Sequence, residues 1–129
     1  MKLVWVNGCF DILHRGHIEL FKFAKSKGDY VVVGIDSDTR VKELKGPTRP
    51  INNEEDRKFM LNSIKYIDKV VIFQTSCELR GMISHFKPDV MIVGSDYLNK
   101  NVIGSDYAKE LVFFDRIGEY STTNILDKK

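Results

Sequence analysis

The sequence predicts an α/β domain in which five parallel strands are covered by helices on both faces. Apolar strand-like runs alternate with helical ones over the full 129 residues. Each strand-like run is too apolar to leave one face in water, which is the mark of a parallel sheet buried on both sides. The first run also passes directly into a helical stripe through a glycine-bearing turn, the junction from which doubly wound sheets are built.

Residues 3–6 (Leu-Val-Trp-Val) form the first buried strand. From His17 the apolar residues Ile18, Leu20, Phe21 and Ala24 fall on one stripe, so a helix is expected over about 16–27, with Gly28 as its C-cap. The second strand spans 30–35. Residues 36–52 carry Arg40, Lys42, Lys45 and Arg49 among Gly46, Pro47 and Pro50, and read as a basic loop. A helix over 53–66 follows, opened by Asn53, whose first-turn acids Glu54, Glu55 and Asp56 suit the helix dipole. Then come a strand over 69–73, a helix over 77–86 capped by Ser76 and carrying His85 as a structural residue, and a strand over 90–93. A weaker helix is read over 104–110, a fifth strand over 111–114 and a last helix over 121–127 with Ser121 as its N-cap. The expected fold is a Rossmann-like, doubly wound, five-stranded parallel sheet, one domain over 1–129 with no internal repeat.

Composition narrows the function. A net charge of +2 is too small to make nucleic acid the main partner. No apolar run approaches the roughly 18 residues of a membrane span, and the chain enters a strand with no signal-peptide core, so a cytoplasmic protein is expected. Cys9 and Cys77 supply neither a disulfide framework nor a four-ligand zinc site.

The chemistry concentrates in residues 8–17, Gly-Cys-Phe-Asp-Ile-Leu-His-Arg-Gly-His. A helix N-terminus offers unpaired N–H groups and a positive dipole end, which together attract anions. His14 and His17, three residues apart, share one face of that first turn and point at the same anion. The spacing is that of neither a Walker loop nor a Gly-x-Gly-x-x-Gly turn. Two histidines without a third soft ligand make a poor zinc site, and phosphate is the better ligand. Cys9 lacks a base near it in sequence and is not read as a nucleophile.

Other segments belong at the same sheet edge, because ligands of open α/β sheets bind outside the C-terminal ends of the strands. The loop with Lys42 and Lys45 is expected to cover the first turn as a lid. Gly94 allows close backbone approach, with Asp96 beside it to accept from ribose hydroxyls and Tyr97 following. Arg116 precedes Ser121, Thr122 and Thr123, a second anion site at a helix start. Two such sites at one edge grip an extended polyphosphate at both ends.

Gly8-x-Phe10-Asp11-x-x-His14-x-Gly16-His17 with Ser121-Thr122-Thr123 resembles the cytidylyltransferase-like branch of the nucleotidyltransferases. Residues 7–17, the lid from Lys42 to Asn52, Gly94-x-Asp96-Tyr97 and residues 121–125 are similar to the adenylyltransferase domain of bacterial ADP-heptose synthases. Arg116 ahead of the hydroxyl triplet is instead similar to glycerol-3-phosphate cytidylyltransferases, although their Glu-Gly order is not kept.

The resemblance implies transfer of a nucleoside monophosphate from ATP or CTP to a sugar or polyol phosphate, with release of pyrophosphate. Heptose 1-phosphate adenylylation is favoured over glycerol 3-phosphate cytidylylation, and a nucleotide-binding module without activity is the alternative of another class. It implies that His14, His17, Lys45 and Arg116 are catalytic. It also implies that Gly8, Cys9, Phe10, Asp11, Gly16, Lys42, Gly94, Asp96, Tyr97, Ser121, Thr122 and Thr123 bind nucleotide or phosphate. Mg²⁺ is expected to arrive with the triphosphate, and Asp11 is expected either to support the histidine turn or to approach the metal. A homodimer is implied as well.

Overall fold

Five parallel strands lie in the order β3-β2-β1-β4-β5 in the computed structural model, which describes residues 1–94 and 100–115. The elements are β1 (Leu3–Gly8), α1 (Arg15–Ser26), β2 (Tyr30–Asp36), α2 (Asp38–Lys45), α3 (Glu54–Asn62), β3 (Lys69–Phe73), α4 (Ser76–Phe86), β4 (Val90–Gly94) and β5 (Glu110–Phe114). β1 is the central strand and pairs with β2 over its full length and with β4 from Val4 to Val6.

Alternation along the strands builds two cores. Val4, Val6, Val31, Val33 and Ile35 point to the face covered by Phe21 and Ala24 of α1 and Leu61 of α3. Trp5, Val32, Phe73 and Met91 point to the other, covered by Leu79 and Ile83 of α4. Because both faces are buried, polar residues are excluded from the strand interiors, which is why the strands read as unbroken apolar runs. Among the described residues no helix is long and apolar enough to cross a membrane.

Three aspartates close the N-terminal edge of the sheet. Lys2 N–H donates to Asp29 Oδ2 at 2.9 Å, Val31 N–H to Asp68 Oδ2 at 2.8 Å and Leu3 N–H to Asp89 Oδ2 at 2.8 Å. Each aspartate returns a backbone bond, its own N–H donating to the carbonyl of Lys2, Val31 or Leu3 respectively. Backbone groups that would end the ladder unpaired are thus satisfied in both directions.

The structure corrects several boundaries. Residues 38–45 of the expected basic loop form helix α2: Ser37 Oγ accepts from Arg40 N–H as N-cap, and Gly46, at φ 108°, ends it. This helix buries Val41 alone, so its apolar period is too sparse to read. The helix expected to reach residue 66 stops at Asn62. Thr75 rather than Ser76 caps α4, accepting from Glu78 N–H at 3.0 Å. The weak helix over 104–110 is a single 3₁₀ turn, Ser105–Tyr107, and β5 begins already at Glu110. Lys27 is the C-cap of α1, and Gly28 serves close packing instead, since a Cβ there would lie 2.7 Å from Val4 Cγ2. The helix expected over 121–127 lies outside the described residues.

Candidate active site

The strand order reverses between β1 and β4, because the chain winds outward through β2 and β3 and then crosses to β4 and β5. A doubly wound sheet opens a crevice at that reversal, outside the C-terminal strand ends. Gly8 ends β1 and Gly94 ends β4, and both line a cleft of about 320 Å³ at this edge.

The turn leaving β1 is held in an unusual shape. Phe10 has φ 50°, the left-handed region that bulky residues rarely occupy. Its side chain is only 7% exposed and packs edge-on against His17 and Phe21, at centroid distances of 5.2 and 5.1 Å. Burial of the ring holds the backbone in that conformation, a kind of strain found at functional sites.

His14 is the N-cap residue of α1 and His17 lies in its first turn. Their rings stack at 3.7 Å with planes 21° apart, so the two imidazoles share one face. The backbone N–H of His14 donates to Nδ1 of His17 at 3.3 Å. An accepting Nδ1 carries no proton, so the neutral His17 ring bears its proton on Nε2, a donor suited to a phosphate oxygen. The helices differ in charge at their starts. Asp38 in α2, Glu54, Glu55 and Asp56 in α3 and Glu78 in α4 sit in the first turns, whereas α1 has no acid there. The positive end of the α1 dipole is therefore left for an external anion.

Asp11 is 1% exposed, and it binds the chain rather than facing a ligand. Its Oδ2 accepts from Ile51 N–H at 2.7 Å and from Arg49 Nε at 3.3 Å, and its Oδ1 accepts from Asn52 N–H at 2.8 Å. Both carboxylate oxygens are committed to the segment after α2. Among the described residues no group of three or more His, Cys, Asp or Glu could hold a metal ion. The expected approach of Asp11 to Mg²⁺ does not fit this geometry.

Arg57, which no sequence motif marks, is fully buried. Its Nη1 donates to the carbonyls of Cys9 at 3.0 Å and Asp36 at 2.8 Å, its Nε to the carbonyl of Asn52 at 3.0 Å, and its Nη2 to Asp38 Oδ1 at 2.8 Å. One guanidinium thus fastens the β1 turn, the end of β2, the start of α2 and the segment held by Asp11. The signal available in sequence was a charged residue four before Leu61, in register with the buried side of α3.

Of the remaining expected site residues, Cys9 and Lys45 line the cleft with Gly8 and Gly94. Lys42 is exposed on α2 and does not line it. Gly16 lies in the first turn of α1 between the histidines. Burial pushes the Cys9 thiol above its ordinary range, against the opposing charges of Lys45 and Arg57. A raised thiol makes the reactive thiolate scarcer. Asp96, Tyr97, Arg116, Ser121, Thr122 and Thr123 lie outside the described residues.

Residues 5–126 match the family model described as cytidylyltransferase-like. The chain is 46% identical over 127 residues to the bifunctional protein HldE of Helicobacter pylori (strain P12) and 47% identical over 126 residues to that of Campylobacter fetus subsp. fetus (strain 82-40). Each match covers 98% of this chain but 27% of the relative, so the chain spans about a quarter of the length of these curated proteins. The fold is similar to that of the lipopolysaccharide core biosynthesis protein from Thermoplasma volcanium GSS1, with a TM-score of 0.73 and 24% identity over 92% of this chain and 99% of that one. It is also similar to pantothenate synthetase from Thermus thermophilus, with a TM-score of 0.68 and 16% identity over 97% of this chain and 61% of that one. A histidine pair on an acid-free helix start, at the reversal point of a 3-2-1-4-5 sheet, thus coincides with a match over nearly the whole chain: the protein belongs to the cytidylyltransferase-like family.

Proposed function

We propose that the chain transfers an adenylyl group from ATP to a sugar 1-phosphate of the heptose type, releasing pyrophosphate. The observation that carries the phosphate chemistry is the start of α1, with two stacked imidazoles and no acid in its first turn. Support for the heptose type comes from the similarity of residues 7–17 and the Lys42 to Asn52 segment to ADP-heptose synthases, and from 46% identity to an HldE protein. The glycerol 3-phosphate alternative rests on Arg116 ahead of the hydroxyl triplet and is not favoured.

An oxygen of the acceptor phosphate attacks the α-phosphorus. The new O–P bond forms as the bond to the bridging oxygen breaks, and its electron pair leaves with pyrophosphate. A phosphate monoester has its second pKa near about 6 and is largely dianionic at neutral pH, so the site needs no general base. Catalysis then rests on positioning and on neutralising charge. In this reading His17 donates from Nε2 to an oxygen of the triphosphate, His14 stacks behind it, and Lys45 at the cleft holds the acceptor phosphate. The Phe10 backbone faces the α-phosphate, while Arg116 and Ser121 to Thr123 hold the distal phosphates and Asp96 the ribose. Mg²⁺ prefers phosphate oxygens and would arrive on the triphosphate rather than on a carboxylate of the described residues. We further propose a cytoplasmic homodimer whose ligands are small phosphates, not nucleic acid or membrane.

Pyrophosphate release, measured with each of four nucleoside triphosphates against heptose 1-phosphate, hexose 1-phosphates and glycerol 3-phosphate, tests this. Turnover is expected with ATP and heptose 1-phosphate. Turnover confined to CTP and glycerol 3-phosphate would replace the reading with the alternative, and binding without turnover across the panel would make the chain an inactive module.

A further inference from the structure

The cleft holds a charged pair that phosphate transfer itself does not use. Asp36 ends β2 and Arg40 lies one turn on, in α2; both line the cleft, with side chains 14% and 15% exposed. Arg40 Nε donates to Asp36 Oδ1 at 2.7 Å, and Nη2 donates to Ser76 Oγ at 3.1 Å. The guanidinium lies over the Phe73 ring, 5.4 Å from its centroid. These contacts fix the pair in place. Among the described residues, Asp36 Oδ2 and Arg40 Nη1 hold no hydrogen bond, so one acceptor and one donor of the pair are left open in a partly apolar cleft.

Such an acceptor and donor suit the hydroxyls of a sugar, one donating to the carboxylate and another accepting from the guanidinium. The apolar lining, from Leu44, Phe73, Leu79 and Ile103, suits the C–H faces of a sugar ring. About 320 Å³ is at the low end of the roughly 300–1,000 Å³ of small-molecule sites, the size class of a monosaccharide phosphate. Position separates these hydroxyls from those of the nucleotide. α1, with the histidines, packs on the Val4 and Val6 face of the sheet, whereas the cleft is lined by α2, Phe73 and Leu79 toward the Trp5 face. The β1 turn runs between them, and attack in line requires the acceptor on the side away from the leaving group.

We propose that Asp36 and Arg40 are specificity-determining residues that read hydroxyl groups of the acceptor sugar, while Lys45 at the same cleft takes its phosphate. This rests on the transferase reading above for the identity of the second substrate, but its test does not depend on turnover.

Calorimetric titration of the purified chain with heptose 1-phosphate, propyl phosphate and ATP decides it. The wild type is expected to bind heptose 1-phosphate more tightly than propyl phosphate, which offers a phosphate and no sugar hydroxyl. The isosteric Asp36→Asn and the shape-keeping Arg40→Gln should weaken heptose 1-phosphate by about 10- to 100-fold, since a site built for hydroxyls is penalised when a partner is lost. Propyl phosphate and ATP should stay within about twofold. Should either variant fail to fold, Arg40→Lys keeps the charge, loses the second nitrogen and carries the same expectation. Equal weakening of all three ligands, selective weakening of ATP, unchanged heptose phosphate binding, or a wild type that does not prefer the sugar would each overturn the proposal. Selective weakening of the sugar phosphate without pyrophosphate release from the wild type would leave this inference standing and remove the transferase reading.

Discussion

Asn52 holds Asp11 by two hydrogen bonds across 41 positions of sequence: Asn52 N–H donates to Asp11 Oδ1 at 2.8 Å, and Asn52 Nδ2 donates to the Asp11 carbonyl at 2.7 Å. The β1 turn and the segment after α2 are therefore one unit. Asp11→Ala leaves the N–H groups of Ile51 and Asn52 and the Arg49 guanidinium without their buried acceptor, and should cost about 3 kcal/mol in urea unfolding. Asp11→Asn keeps the shape and one acceptor oxygen, and should cost less. A loss below about 0.5 kcal/mol for the alanine variant would show that the carboxylate is not the clasp.

His17→Ala should lower turnover by roughly 10²- to 10³-fold, the loss typical of one donor at a charge-developing oxygen. The same change removes the acceptor of the His14 N–H, so stability should fall by no more than a helix cap contributes, about 1 kcal/mol. Pyrophosphate release and urea unfolding of one preparation separate the two effects. Near-normal release would take His17 out of the chemistry.

The strands were legible in the sequence because burial on both faces leaves no polar residue inside them. The histidine turn was legible because its motif is local, within four residues of chain. Helix α2 was not, since one buried residue, Val41, carries no period. Support of the histidine turn was one expectation for Asp11, but its partners 38 to 41 positions away were not legible, nor was the role of Arg57, which reaches back 48 to Cys9. A side chain's type suggests what it can bind. Only the folded chain shows whether that capacity has been spent internally, as with Asp11, or left open, as with Asp36.

Thiol chemistry should separate the two cysteines. Cys77 is exposed, whereas Cys9 is half-buried with its thiol pushed up by that burial. At pH 8 an aromatic disulfide reagent should modify Cys77 first, with Cys9 lagging by about tenfold or more, because the thiolate is the reactive form. Cys9→Ser should retain activity within a few-fold. Loss of all turnover in that variant would reopen covalent chemistry at Cys9.

Acid should weaken the N-terminal edge of the sheet. Asp89 is held below the ordinary carboxylate range by the N–H of Leu3 and by Lys109. Partial burial pushes Asp68 up, but the Lys25 hydrogen bond, the Val31 N–H and the Lys25 charge together outweigh it and hold it low. A carboxyl whose folded pKa lies below its unfolded value stabilises the fold above the unfolded value, about 3.9, and loses that contribution as pH falls through the folded one. The urea midpoint should therefore be flat from about pH 7 to 5 with respect to these groups and fall below about pH 4. Asp89→Asn should lower the midpoint at pH 7 and make it less sensitive below pH 4. An equal deficit at pH 7 and pH 3 would show that charge at Asp89 is not the cause.

Because the carboxylates that seal the strand starts lie at one end of the sheet and the residues that line the cleft at the other, stability and substrate choice are inherited through separate sets of positions. Drift at Asp36 or Arg40 can redirect the acceptor while the Asp29, Asp68 and Asp89 seal stays as it is. A sheet divided in this way is suited to gene duplication: a copy can take up a new sugar through a few changes beside α2 without first having to become a more stable protein.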